Sequence, residues 1–109
     1  MTLTEQLNHF DKLTAEMRGI IQLKGADYAE NDKLSNFKTA GPNAGITPSQ
    51  NCLSLIATKV ARLGVLLKSD KLPSNESISD SVIDLSNYSI LLHMLLNEGL
   101  YEDNLPFKI

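Results

Sequence analysis

The chain has 109 residues, of which 42% are hydrophobic and 21% charged, a balance typical of one globular domain with a single core. Its formal net charge of −3 argues against general nucleic-acid binding, which needs clustered Lys and Arg. One cysteine, Cys52, excludes an internal disulfide, and no apolar run approaches the roughly 20 residues of a membrane span. No signal peptide opens the sequence, so we expect a cytoplasmic protein without membrane binding.

The first helix is predicted to begin at Thr2, where Glu5 completes a capping box. Apolar residues then recur every three or four positions to about Leu23, and the pattern allows an extension through Gly25 to Tyr28 at some cost in helix propensity. The apolar positions are Leu3, Leu7, Phe10, Leu13 or Thr14, Met17, and Ile20 or Ile21, and the stripe ends at Lys24.

Residues 29–47 interrupt the helical pattern with repeated Gly and Pro, and only residues 34–40 favour a short helical turn. A loop of this length in a small domain is typically functional or mobile. Asn36, Phe37 and Lys38 in its middle combine an aromatic anchor with two polar groups. This combination indicates a binding loop.

The second helix has a sharp predicted start, with Thr47 as N-cap, Pro48 at the first helical position and Gln50 completing a capping box. It is expected to end near Ser69. Its predicted core stripe consists of Leu53, Ile56, Val60, Leu63 and Leu67. Cys52 is expected to be a small buried hydrophobe. Lys59 and Arg62 are one turn apart and share a face.

The third helix is predicted to span residues 76–98 and to stop at Gly99. Its acidic face carries Glu76, Asp80, Asp84 and, beside them, Asn87. The opposite side carries Ile78, Val82, Leu85, Leu92 and Leu96. Beyond residue 87 the helix is apolar nearly all round, which is typical of a helix buried in a bundle. Residues 100–109 form a tail apolar enough to dock on a surface.

These elements predict an all-α fold of three main helices with a long loop and a C-terminal tail. Three helices do not close a four-helix bundle, so the missing wall comes from the loop, the tail or a second subunit. We expect a homo-oligomer that completes the bundle.

Three polar clusters interrupt the apolar helices, and their spacing places each cluster on one helical face. The clusters are Lys24 with Asp27 and Tyr28, Lys59 with Arg62, and Glu76 with Asp80, Asp84 and Asn87. If the faces converge, the set can hold a hard metal through oxygen ligands or bind phosphates through Lys and Arg. The alternatives are a solvated acidic helix face, a structural ion pair between the basic and acidic clusters and, for Lys24, Asp27 and Tyr28, a frayed helix end.

Short motifs follow one another along the chain in a recognisable order: Lys24-Gly-Ala-Asp27-Tyr28, Asn36-Phe37-Lys38, Ile56-Ala-Thr-Lys59-Val-Ala-Arg62-Leu63, Asn75-Glu76-Ser-Ile-Ser-Asp80 and Asp84-Leu-Ser-Asn87-Tyr88. In this order they resemble the nucleotide-modification-associated domain family of small phage and prophage proteins. The resemblance covers about residues 24 to 96.

That family is in turn similar to the all-α nucleoside triphosphate pyrophosphohydrolases of the MazG and dimeric dUTPase type. Those enzymes hold magnesium through Glu-x-x-Glu on one helix and Glu-x-x-Asp on another. This sequence departs from the pattern, because its first helix has no Glu-x-x-Glu and its acidic helix has Glu76 four residues before Asp80. The departure favours binding over turnover.

The resemblance implies a nucleotide site in the cytoplasm, which is the host cytoplasm for a phage protein. The magnesium ligands would be Asp27, Glu76, Asp80 and Asp84. The nucleotide-binding residues would be Lys24, Lys59 and Arg62 on the phosphates, Tyr28 or Phe37 beside the base, Asn87 on sugar or base, and Asn36 and Lys38 from the loop.

Three functions follow from these features. The first is magnesium-dependent hydrolysis of a nucleotide phosphoanhydride. The second is a non-catalytic binder that sequesters or senses a nucleotide, either linear or cyclic. The third is an interaction module whose apolar tail and third helix dock on a host protein.

Overall fold

The computed structural model describes residues 1–27, 32–69 and 75–99, and within these ranges the secondary structure is helical with no strand. The helices are α1 (Leu3–Asp27), α2 (Ser35–Asn43), α3 (Pro48–Lys68) and α4 (Asn75–Gly99). The all-α prediction is therefore confirmed. The chain divides into two compact units, Met1–Lys33 and Leu34–Ile109. Each unit is described by itself, and the prediction of a single domain stays a prediction.

The first unit contains α1, whose N-terminus is closed by the predicted capping box. The main-chain N–H of Thr2 donates to Glu5 Oε2 over 2.9 Å, and the N–H of Glu5 donates to Thr2 Oγ1 over 3.2 Å. The helix continues past the expected end at Leu23 and through Gly25 to Asp27. The cost of one helical glycine, about 1 kcal/mol, does not stop it.

The segment predicted as a long loop contains α2, a helix of nine residues. Pro42 lies inside this helix, in its last turn, and the chain then turns through Gly45, which has a φ of +78°. Gly41 is buried, and a Cβ there would lie 2.9 Å from the main-chain oxygen of Thr47. The Gly and Pro residues therefore end a short helix and bring it close to the next one, where the sequence pattern favoured only a short helical turn over residues 34–40.

The start of α3 agrees with the prediction. The hydroxyl of Thr47 accepts from the N–H of Gln50 over 3.0 Å, and Gln50 Oε1 accepts from the N–H of Thr47 over 2.9 Å. Pro48 occupies the first helical position, where its missing N–H costs nothing. The helix ends at Lys68, with Ser69 as its C-cap.

The predicted core stripe of α3 is only partly correct. Leu63 is buried and Ile56 packs against the core, but Leu53, Val60 and Leu67 are more than half exposed. The helix carries apolar residues on two faces, and the face that is buried contains Cys52, fully inaccessible to solvent as predicted. Apolar spacing alone does not distinguish two such faces.

The second unit is held by packing of α2 on α3 and of α3 on α4. Its buried core cluster consists of Leu34, Phe37, Cys52 and Leu95, with Leu55, Ile56, Tyr88, Leu91 and Leu92 packed against it. The residues join all three helices of the unit into one apolar layer.

The helix α4 is continuous as predicted, but its buried side differs from the predicted one. Ser81, Ile83, Asn87 and Leu95 are buried, whereas Val82, expected on the apolar rear, is 45% exposed. The rear residues Ile78, Leu85, Leu92 and Leu96 are only partly buried. Beyond residue 87, Ile90 and Met94 are also exposed, so within the second unit α4 is not covered all round. No described helix has both the length and the apolar character needed to cross a membrane.

Candidate functional site

The centre of the candidate site is an ion pair between α3 and α4. Lys59 Nζ lies 3.1 Å from Asp84 Oδ2, and the two side chains are 22% and 26% exposed. The sequence placed these residues in separate polar clusters, and the structure brings one member of each together. Both side chains are partly withdrawn from water yet remain reachable from solvent.

The direction of the two helices follows from a second contact. Cys52 Sγ donates to the main-chain oxygen of Tyr88 over 3.4 Å. Moving from Cys52 to Lys59 along α3 therefore corresponds to moving back from Tyr88 to Asp84 along α4. The helices are antiparallel.

Arg62 and Asp80 extend the site towards the end of α3 and the start of α4. Arg62 follows Lys59 by three residues, and Asp80 precedes Asp84 by four. Because the helices are antiparallel, the step from Lys59 to Arg62 and the step from Asp84 to Asp80 run in the same direction along the helix pair. Both residues therefore lie about one turn, roughly 5 Å, along their helices from the central ion pair. Both side chains are exposed. The face therefore presents two cations and two carboxylates.

Two polar residues of α4 near Asp84 are buried. Ser81 is 3% exposed and Asn87 is 5% exposed. The Oδ1 atom of Asn87 is buried and receives no hydrogen bond within the described ranges, although the residue makes another interaction. Asn87 follows Asp84 by three residues, so it lies about one helical turn along α4 from the ion pair, on the side away from Asp80. Its role in a nucleotide site stays a prediction.

Cys52 is a structural residue beside the site. Burial raises the pKa of its thiol, because the charged thiolate is poorly solvated in an apolar surrounding. The thiol stays neutral and donates a hydrogen bond to the main-chain oxygen of Tyr88, so it has none of the features of an activated nucleophile.

The predicted binding loop is divided between the core and the surface. Phe37 is 8% exposed and packs in the core, whereas the sequence predicts its ring beside the base. Asn36 is exposed. Lys38 Nζ lies 2.7 Å from Glu98 Oε2, which ties α2 to the end of α4.

The third predicted cluster belongs to the first unit. Lys24 is exposed in the last turn of α1, and Asp27 is the last helical residue. The side chain of Asp27 and all of Tyr28 lie outside the described residues, as does the side chain of Glu76. The convergence of this cluster with the α3–α4 face stays a prediction.

The described residues do not contain a group of three or more His, Cys, Asp or Glu side chains arranged to hold a metal ion. Magnesium in proteins is commonly held by one or two carboxylates together with substrate phosphates and water, so Asp80 and Asp84 would hold it only with such further ligands. Two of the four predicted ligands, Asp27 and Glu76, have side chains outside the described ranges. The predicted ligand set stays a prediction.

Sequence reasoning missed three features of the second unit. They are the burial of Ser81, the ion pair of Glu98 with Lys38, and the Cys52–Tyr88 hydrogen bond. Glu98 had a detectable signal, because the acidic helix has no Lys or Arg of its own between residues 76 and 98. The negative charge of its carboxylates must therefore be balanced by cations of other helices. Lys59 pairs with Asp84 and Lys38 pairs with Glu98 in this way. Nothing in the local sequence marks Ser81 as buried.

Comparison of the chain with protein-family models, with curated proteins and with solved structures gives no match in any of the three. In the part of the chain that the structure describes, the fold is all-α and α3 and α4, which are antiparallel, carry a mixed-charge face. The resemblance to phage nucleotide-associated proteins stays a prediction.

Proposed function

We propose that the chain binds a nucleotide, or a nucleotide-like phosphate compound, on the α3–α4 face through Lys59 and Arg62. The observation that carries the proposal is the Lys59–Asp84 ion pair at 3.1 Å, with both side chains only about a quarter exposed. Isolated surface ion pairs contribute little to stability, so a partly buried one at the centre of a polar face suggests another use.

The ammonium group of Lys59 suits a phosphate oxygen. It has three N–H donors, and Asp84 Oδ2 occupies one direction. A phosphate arriving from solvent can accept from another donor while the carboxylate holds the ammonium in place. Partial burial lowers the effective dielectric constant around the pair and strengthens this contact relative to an open surface.

Arg62 provides the second phosphate contact. Its guanidinium is exposed and lies about one turn from Lys59. A guanidinium offers paired N–H donors that match two oxygens of one phosphate. Two cations at this spacing suit adjacent phosphate groups, so we favour nucleoside di- or triphosphates over monophosphates.

The carboxylates give the site its selectivity for a nucleotide over free phosphate. Asp80 is exposed and accepts hydrogen bonds only, which fits hydroxyl groups of a ribose or an amino group of a base. Asp84 holds Lys59. In this proposal the acidic residues orient the cations and accept hydrogen bonds from the sugar or base, which free phosphate lacks, and Lys and Arg supply the affinity.

Binding is tested by isothermal titration of the full chain with a panel of nucleoside triphosphates, with and without magnesium. The informative variant is the double substitution Lys59→Gln and Asp84→Asn, which removes both charges but keeps similar shapes and avoids an unpaired buried charge. We expect its Kd to rise about tenfold or more, since hydrogen bonds to charged groups contribute roughly 1.5–3 kcal/mol. Arg62→Gln should weaken binding by a similar factor.

Lys68→Gln is the matched control, because it removes one positive charge from the last turn of the same helix. Its Kd should stay within about twofold of the unmodified chain. If the double variant binds as well as this control, or no nucleotide binds, the proposal fails.

Turnover is measured in the same samples as phosphate or pyrophosphate released. Release that depends on magnesium would extend the proposal to a hydrolase, and Glu76→Gln and Asp27→Asn would then test the predicted ligands. Recovery of intact ligand would identify a binder that sequesters or senses the nucleotide.

A second candidate function, docking on a protein partner, is favoured by the exposed apolar face of α3. Leu53, Val60 and Leu67 are 54%, 53% and 71% exposed. Their spacing of seven residues aligns them on one side of the helix. Binding of a purified host protein that is lost in Val60→Glu but kept in the Lys59 and Asp84 double variant would support this candidate.

A further inference from the structure

One stripe of α1 follows alternating spacings of four and three residues and is apolar except at Thr14 and at its last position, Lys24. It consists of Leu3, Leu7, Phe10, Thr14, Met17, Ile21 and Lys24. An average spacing of 3.5 residues over three heptads is typical of a coiled-coil helix and is stricter than the 3.6-residue period of an ordinary amphipathic helix. We call these seven residues the α1 seam.

The N-terminal half of the α1 seam is exposed. Leu3, Leu7 and Phe10 are 69%, 53% and 61% exposed. In the C-terminal half, Thr14, Met17 and Ile21 are already partly buried, and Lys24 is exposed. Thr14 is compatible with burial, because its hydroxyl already donates to the main-chain oxygens of Phe10 and Asp11 within the same helix. It therefore presents its methyl group without leaving a polar atom unsatisfied.

We propose that the α1 seam pairs with the α1 seam of a second copy of this chain, in an antiparallel two-stranded coiled coil. A helix of 25 residues is roughly 37 Å long, enough for the three heptads. The two-fold symmetry makes the contact isologous, so the same residues serve both chains.

The antiparallel register follows from the seam itself. Aligning Thr14 with Met17 of the second copy places Phe10 against Ile21 of that copy. Leu7 then lies against the aliphatic stem of Lys24. The overlap runs from Leu7 to Lys24, and its layers are apolar apart from the Thr14 hydroxyl and the Lys24 ammonium group.

The flanking positions favour the same register. On one flank Asp11 lies opposite Arg18 of the second copy, and symmetry repeats this pair. On the other flank Leu13 lies opposite Ile20. A parallel pairing would instead place Leu13 beside Arg18 and one Lys24 against the other. Charge complementarity therefore selects the antiparallel arrangement.

The first test is the oligomeric state of the full chain by sedimentation velocity across a concentration series. We expect a reversible dimer. Leu7→Glu and Phe10→Glu place a charge in the seam and should each shift the dimer to monomer. Asn8→Glu adds the same charge to the same helix on the side away from the seam, so this matched control should remain dimeric.

The second test exchanges the flanking charges. Asp11→Arg or Arg18→Asp alone juxtaposes like charges and should raise the dimer Kd about tenfold, while the double exchange Asp11→Arg with Arg18→Asp should restore it. Residues seven apart on one helix are roughly 10 Å apart and cannot pair with each other, so restoration requires two chains. Circular dichroism confirms that each variant keeps its helices.

A monomer at millimolar concentration overturns the proposal, and so does a dimer that Leu7→Glu and Phe10→Glu leave intact. A dimer that is lost on seam substitution but is not restored by the double exchange overturns the antiparallel register. None of these outcomes depends on nucleotide binding.

Discussion

Cys52 in α3 and Tyr88 in α4 are joined by a hydrogen bond from a fully buried thiol to a main-chain oxygen inside a helix, at a distance of 3.4 Å. A carbonyl oxygen within a helix already accepts a hydrogen bond from the N–H four residues later. The thiol therefore donates to the second lone pair of the Tyr88 oxygen. This contact fixes the register of α3 against α4. It thereby places Lys59 opposite Asp84.

The buried thiol predicts a pH dependence of stability. Burial raises the pKa of Cys52 in the folded chain, so the folded state retains a proton that the unfolded chain releases. The contribution to the free energy of unfolding is fully present below the ordinary thiol pKa, roughly 8.5, and is lost as the pH rises through the higher folded value. Urea unfolding between neutral and alkaline pH measures it.

Cys52→Ala separates this effect from other groups that titrate at alkaline pH. The variant should be less stable at neutral pH by about 1 kcal/mol, a typical cost for a core truncation of this size. Its stability should then fall less steeply than that of the unmodified chain above the thiol pKa. Parallel curves for the two proteins would contradict the prediction. In the unmodified chain, iodoacetamide should react with Cys52 only as fast as the core opens.

The two ion pairs of the second unit should differ in strength. Lys59 and Asp84 are 22% and 26% exposed, whereas Lys38 and Glu98 are 39% and 49% exposed. Solvent screens the second pair more, so a double-mutant cycle should give a coupling energy of about 1 kcal/mol for Lys59–Asp84 and a few tenths for Lys38–Glu98. The amide substitutions Gln for Lys or Glu and Asn for Asp suit both cycles.

Salt provides the control for this comparison. Raising the ionic strength to about 1 M shortens the screening length to roughly 3 Å, and the exposed pair should lose most of its coupling. The Lys59–Asp84 coupling should persist in part. If the two ion pairs had equal coupling energies at low ionic strength and also at high ionic strength, the interpretation of Lys59–Asp84 as a partly desolvated pair would be wrong.

The parts of the fold that depend on a few neighbouring residues could be predicted from the sequence. Both capping boxes, at Thr2 and Thr47, are set by a residue and its third neighbour, and both are present. The same locality explains why α2 was predicted only as a short helical turn over residues 34–40 and not through to Asn43. Gly41 and Pro42 are helix breakers by composition, but in the structure they occupy the last turn of a helix that docks on α3.

The buried faces were harder to predict, because they are chosen by partners distant in sequence. On α3, Leu53 and Val60 have the spacing of a core stripe, yet Cys52 and Leu63 lie in the interior. The side of α3 that packs against α4 includes Lys59, whose charge is tolerated there only because α4 supplies Asp84. The sequence offered an ion pair between the basic and acidic clusters as one alternative, because the acidic helix has no Lys or Arg of its own. The extent to which the pair is buried could not be predicted.

The turn between α2 and α3 predicts opposite effects for two glycine substitutions. A Cβ at Gly41 would lie 2.9 Å from Thr47 O and 3.1 Å from Ile46 O, both main-chain atoms that cannot move without shifting the turn. Gly41→Ala should therefore lower the free energy of unfolding by about 1–3 kcal/mol, as overpacking of a core does. At Gly64, inside α3, a Cβ would meet nothing within 4 Å.

Gly64→Ala is the matched control for this effect, since it makes the same substitution in a helix without the close approach. Replacing a helical glycine with alanine should raise stability by roughly 0.5–1 kcal/mol, because the unfolded chain loses conformational freedom. Thermal and urea unfolding of the two variants should thus move in opposite directions from the unmodified chain. If Gly41→Ala were neutral or stabilising, the close packing of α2 against the residues before α3 would be wrong.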